Sequence, residues 1–125
     1  MASLTLEEMM AMQRELQEKF AESWGPRSPE SAPLHMLWRV AEVGEVAAIF
    51  KKRKPQGIME DPVVRAHFLE EMSDILMYFT DILNFLEVTP QEFSAAYRAK
   101  HARNMKRDFP QEHRHFLTPD QHNQA

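Results

Sequence analysis

A chain of 125 residues is long enough for one hydrophobic core and too short for two. Its 43% hydrophobic and 27% charged content is that of an ordinary globular domain, and a net charge of −4 gives no bulk attraction to nucleic acid. Three glycines exclude the glycine-rich phosphate loops of nucleotide-binding α/β folds, and the lack of cysteine excludes disulfides and thiolate zinc sites and fits a reducing cytoplasm.

The N-terminal "MASLTLEEMM" has no basic region followed by an apolar run, so it does not read as a signal peptide. No apolar stretch reaches the roughly 18 uncharged residues that a membrane span needs. "TLEE", Thr5 to Glu8, is a capping box and predicts a first helix running to about Ser23. "GPRSPESAP", Gly25 to Pro33, is the loop that ends it. A second helix is expected from about Pro33 to Arg53, stopped near "KPQG". Asp61 and Pro62 then supply an N-cap and a proline at the first helical position for a third helix reaching about Leu86. "TPQE", Thr89 to Glu92, is a further capping box and opens a fourth helix to about Arg107. The remainder, from Pro110, is polar and aperiodic and reads as a tail that is loose or packs on a partner subunit. The histidines there, His113, His115 and His122, are too irregularly spaced to make a metal site. With no strand-like alternation, the pattern predicts an all-α four-helix bundle.

The polar residues of the two middle helices are the informative ones. At about 100° per residue, Glu42 and Glu45 share one face of the second helix with His35 and Arg39. Glu71 and Asp74 share one face of the third, with His67 and Asp81 nearby and Phe68, Met72, Ile75, Phe79, Ile82 and Leu83 on the opposite arc. An amphipathic helix needs a polar face, and acidic residues at this spacing often supply it. Here the neighbours are small or apolar (Ala41, Val43, Gly44, Val46, Ala47), and no lysine or arginine stands four residues after Glu42, Glu45 or Glu71 to make the expected surface ion pair. If the two helices lie side by side, four carboxylates converge and repel unless a cation intervenes. An all-oxygen set selects a hard ion, Mg²⁺ or Mn²⁺, and such ions characteristically serve phosphate. A di-iron bundle would need Glu-x-x-His on two helices, and neither pair has it.

"EVGEVAAIF" on one helix, then "EEMSDILMYF" on the next, then "KHARNMKRDF", together resemble the signature of MazG-like nucleotide pyrophosphohydrolases, the all-α group that includes dCTP pyrophosphatases. The resemblance spans residues 34–109 within a helical domain of residues 1–109. It implies Mg²⁺-dependent (or Mn²⁺-dependent) hydrolysis of a nucleoside triphosphate to monophosphate and pyrophosphate, as in nucleotide-pool house-cleaning. Glu42, Glu45, Glu71 and Asp74 would then be the metal ligands, with Glu42 or Glu45 also the candidate to accept a proton from the attacking water. Lys100, Asn104 and Arg107 would contact the phosphates or sugar. Two positions depart from the pattern: Ala41 stands where many members have another glutamate, and Lys52 where the dCTP pyrophosphatase-like members have tryptophan. Trp24, which offers an indole face for stacking, is the candidate wall for the base instead, and Lys52, in the basic run "KKRK", is the candidate for a basic lip that draws the triphosphate in.

Met77, Tyr78 and Phe85 are expected beside the carboxylates, where a monomer would leave them wet, and exposed apolar area of that kind marks a subunit interface. The resemblance likewise implies a homodimer or homotetramer whose neighbouring subunits complete each site. A non-catalytic helical interaction module that keeps the same shape is the alternative, motivated by Ala41, Lys52 and the nine methionines.

Overall fold

Thr5 opens the first helix as its spacing dictates: its hydroxyl accepts the Glu8 N–H at 3.1 Å, and its own N–H donates to the Glu8 carboxylate at 3.1 Å. The structure, a computed structural model, describes residues 1–25, 27–108, 110–112 and 114. Most of the expected C-terminal tail, including its three histidines, lies outside them. Helix is the only regular secondary structure among the described residues, with no strand among them, and these residues fall into two compact units, Met1–Pro90 and a second beginning at Gln91.

Helix α1 (Leu6–Lys19) stops short of the expected end because Phe20 leaves helical geometry, and a single turn, α2 (Ala21–Trp24), follows. Gly25 then takes φ 83°, a left-handed backbone that glycine adopts without a Cβ clash. A 3₁₀ turn at Pro29–Ser31 leads into α3 (Ala32–Glu60), longer than the sequence suggested. The "KPQG" stop is real but local. Lys54 precedes Pro55, whose ring bars the helical conformation from its neighbour, and Lys54 instead adopts φ 63° and ψ 162°. Helical geometry resumes after this kink and runs to Glu60. Asp61 caps α4 (Pro62–Phe85) by accepting the N–H groups of Val63 at 2.9 Å and Val64 at 3.4 Å. The far end closes as a Schellman motif, with the Val88 N–H on the Leu83 carbonyl at 2.9 Å, the Glu87 N–H on that of Asn84 at 3.1 Å, and Glu87 at φ 57°. Helix α5 (Pro90–Lys106) follows Thr89, the expected N-cap position.

In the first unit α3 and α4 are the main packed pair and α1 lies along α4. The Phe50 and Phe68 rings meet edge to face at 5.7 Å between α3 and α4. Val46, Ile49 and Ile58 of α3 and Ile82, Leu83 and Phe85 of α4 are buried. Phe85 corrects an expectation: at 4% exposure it is a core residue packed with Ala32 and Ile82, not a wet ring beside the carboxylates. Met77 is exposed and Tyr78 half-buried.

The α1–α4 seam is polar. Met10, Gln13 and Gln17 form the buried stripe of α1, at the i, i+3, i+7 spacing of one helical face. Opposite them Asp81 and Asn84 are buried on α4. Asn84 donates to the Met10 carbonyl at 3.0 Å and accepts from Arg14 at 3.2 Å. No helix among the described residues is long and apolar enough to cross a membrane.

Candidate functional site

Glu42 projects from α3 towards α4, where Glu71 and Asp74 stand one turn apart. The three half-buried carboxyls offer oxygens that all lie within 4.8 Å of one another. Desolvation, a hydrogen bond with Glu71, and the charges of Asp74, Glu71 and Glu45 together push the Glu42 carboxyl above its ordinary value. A carboxyl raised in this way marks a cluster whose negative charge is not balanced. Glu45, the fourth expected member, is near enough to act on Glu42 by charge but is exposed and outside the close set. His67, one turn before Glu71, is exposed with Nδ1 3.9 Å from the Glu71 carboxylate.

Asp74 also lines a cavity of about 420 Å³ walled by α1, α2, α3 and α4. Its walls combine Trp24, Trp38, Tyr78 and His35 with Gln13 and Asp81. Trp24 stacks on Phe20 at 4.8 Å and remains 56% exposed, so its indole is held but open. His35 packs against Trp38 at 4.8 Å, Tyr78 at 5.9 Å and, edge to face, Phe85 at 4.6 Å. Desolvation lowers the His35 pKa, which favours the neutral imidazole. Desolvation and the charges of Glu42, Asp74 and Asp81 raise that of Tyr78, which keeps its phenol a hydrogen-bond donor. Asp81 is 6% exposed, and one of its oxygens accepts from both Gln13, at 2.9 Å, and Gln17. Burial raises its pKa and the two amide hydrogen bonds oppose the rise.

The remaining expected residues are spread more widely. Lys52 is exposed on α3, just before the Lys54 kink, and is not a cavity residue. Lys100, Asn104 and Arg107 belong to the second unit. There Arg107 pairs with Glu112 at 2.7 Å and donates to Asn104 at 3.3 Å, while Lys100 is exposed. Arg39 leaves the face it was expected to share with His35. It lines a separate apolar groove with Leu69, Met72 and Phe79, its guanidinium 5.4 Å from the Phe79 ring centre.

Gln13, Gln17 and Asp81 are the site residues that sequence reasoning passed over as contributors. A signal existed: Met10, Gln13 and Gln17 share one face of α1, and Asp81 and Asn84 interrupt the apolar "DILNF" end of α4. Matching polar breaks on two helices is what a buried hydrogen-bonded seam requires. No protein-family model, curated protein or solved structure matches the chain.

Proposed function

We propose that this chain is a divalent-metal-dependent nucleoside triphosphate pyrophosphohydrolase of MazG-like type, converting a (deoxy)nucleoside triphosphate to monophosphate and pyrophosphate. One observation carries the reading: Glu42, Glu71 and Asp74 converge from two helices, and Asp74 also lines an aromatic cavity of base-binding size. A cation cluster and a stacking pocket that share a carboxylate suit a ligand with a charged phosphate end and a flat apolar end.

The donor set fits the ion. All three groups are carboxylates, the preference of Mg²⁺ and Mn²⁺. Glu42, Glu71 and Asp74 would hold the ion through carboxylate oxygens that already lie within 4.8 Å of one another. Bound there, the ion would neutralise phosphate charge and acidify a coordinated water for attack at the α-phosphorus. The chain's own part is otherwise positioning. No lysine or arginine lines the cavity among the described residues, so its carboxylates would repel a bare triphosphate. Trp24, Trp38 and Tyr78 supply faces on which a base stacks. Glu45 lies outside the close set, and so of the two candidate bases it is the one left free to accept a proton. Lys100, Asn104 and Arg107 are proposed to contact phosphate or sugar, Arg107 exchanging its Glu112 partner for an anion, with Lys52 in the basic lip that draws the substrate in.

We also propose a cytoplasmic homodimer or homotetramer. Leu37 at 66% and Val40 at 62% exposure form an apolar stripe on α3 that continues through Gly44 and Ala47, both exposed, and a Cβ added at Gly44 would meet nothing within 4 Å. A surface of this kind is suited to a second copy. A pyrophosphate-release screen over the common nucleotides, with Mg²⁺ or with EDTA, tests the activity. Release that needs the metal supports it, and silence with every nucleotide refutes it.

A further inference from the structure

Helix α3 has two unlike sides. Val46 and Ile49 are buried on the side turned to α4. At about 100° per residue Leu37, Val40, Gly44 and Lys51 fall on the opposite side, where Leu37 and Val40 are exposed. Gly44 stands near the middle of that side, and a Cβ added there would meet nothing within 4 Å. An exposed apolar face with no side chain at its centre admits a second helix at close approach.

The charges along α3 identify that second helix and its direction. One end is basic, with Lys51, Lys52, Arg53 and Lys54 all exposed. The other end contributes His35 and Trp38 to the aromatic cavity, which Asp74 and Asp81 also line and which, among the described residues, no lysine or arginine lines. A second copy of α3 packed antiparallel sets each basic run beside the other copy's acidic cavity. A parallel copy would set four cations against four. The chain thus carries both halves of a charge match.

Helical geometry then sets the register. With a two-fold axis passing Gly44 perpendicular to both helices, Lys52 of one copy stands level with Met36 of the other. Leu34 and Lys52 are five whole turns apart and share one flank of α3, close to that of Trp38. The axis keeps this flank on the same side in both copies. The partner's Lys52 therefore arrives between the levels of Leu34 and Trp38, at the edge of the cavity.

We propose that two copies of the chain pair antiparallel through this face of α3, and that the partner's Lys52 supplies the cation that each cavity lacks. This rests on the reading of the cavity as a triphosphate site and adds to it that the basic lip is contributed by the neighbouring copy.

The chain has no cysteine, so introduced thiols report this geometry without any call on activity. Within one chain Leu34 and Lys52 lie about 27 Å apart along α3, too far for a disulfide. Between antiparallel copies they come side by side. The double variant Leu34→Cys, Lys52→Cys should oxidise to a species of twice 14.7 kDa on a denaturing, non-reducing gel, while each single variant stays at 14.7 kDa. Activity supplies the second arm. Lys52→Glu should raise KM for the triphosphate at least about tenfold. Co-refolded in equal amounts with Glu71→Gln, which keeps its lysines, and measured well below KM, it should recover about a quarter of the parent rate, because one site in four then has both halves. If no nucleotide is hydrolysed yet the double variant alone cross-links, the pairing stands and the hydrolase reading falls. If the parent hydrolyses nucleotide but the double variant does not cross-link, Lys52→Glu leaves KM unchanged, or the two variants do not complement, this inference is overturned and the hydrolase reading stands.

Discussion

The Glu42 carboxyl of α3 and the Glu71 carboxyl of α4, two groups that are ordinarily both charged, bring oxygens within 4.8 Å of each other. Desolvation first, and then Glu71, Asp74 and Glu45, push the Glu42 carboxyl above its ordinary value. The folded chain thus stores repulsion at the point where α3 and α4 pack. A cation is the natural relief.

Glu42→Gln removes one charge from the cluster while keeping the shape. The metal-free variant is expected to melt several degrees above the parent, because a source of repulsion is gone. Added Mg²⁺ should raise the melting temperature of the parent and do little for the variant. Thermal melts of both proteins with Mg²⁺ and with EDTA check this. Equal response to Mg²⁺ in the two would remove Glu42 from the ligand set.

The elements that set up this pair were legible in the sequence because they depend on local chemistry. Thr5 with Glu8, and Asp61 with Pro62, announce helix starts whatever the tertiary fold, and both helices begin there. The three-residue spacings of Glu42 and Glu45 and of Glu71 and Asp74 fix a face, and Glu42, Glu71 and Asp74 do meet. What local pattern did not reveal is which residues a face touches. Asp81 was legible as a polar neighbour of the acidic face, yet its burial depends on Gln13 and Gln17, sixty-odd residues away in the chain. Phe85 was placed beside the carboxylates by angle alone, whereas it packs with Ala32 of α3, a contact that no helical wheel contains. Lys54 shows a third kind of limit. "KP" correctly marks a break, but whether a helix resumes after it is decided by the packing of Ile58, buried on the far side of the kink.

Asp81 gives a pH dependence with a definite sign. Its folded pKa is raised, first by desolvation, against the ordinary value of 3.8. The native state therefore binds the proton more tightly than the unfolded chain, and stability falls as pH rises from about 3.8 through the raised folded value. Above that range the cost of the buried charge is fully present. Asp81→Asn has no such charge and should melt higher than the parent at about pH 7, with the gain shrinking as the pH is lowered towards the ordinary carboxylate range. Melting curves over a pH series read this directly, and a gain that grows on acidification would contradict it.

Asn84 tests the seam without entering the cavity. Asn84→Ala leaves the Met10 carbonyl without its donor and Arg14 without its acceptor. The expected loss is about 1–3 kcal/mol of stability, measured by urea denaturation. Mg²⁺ binding by calorimetry should be unchanged, since none of the three clustered carboxylates touches Asn84.

The α3 stripe tests assembly. A Leu37→Glu, Val40→Glu double variant sets two charges on the exposed apolar face and should dissociate the oligomer to a mass near 14.7 kDa by light scattering. A parent that is already monomeric at micromolar concentration, with activity intact, would show that this face does not join copies of the chain.

The most direct test of the central claim is the rate of pyrophosphate release by Glu71→Gln beside the parent protein, at saturating Mg²⁺ and with the nucleotide that the parent hydrolyses fastest. Glu71 lies in the three-carboxylate cluster and outside the lining of the aromatic cavity, so the substitution changes the metal site and leaves the pocket walls intact. The account predicts a fall of at least about a hundredfold in release, with the melting temperature in EDTA kept or raised. Full release by the folded variant would contradict it, because the carboxylates that meet between α3 and α4 would then hold no ion that the reaction uses.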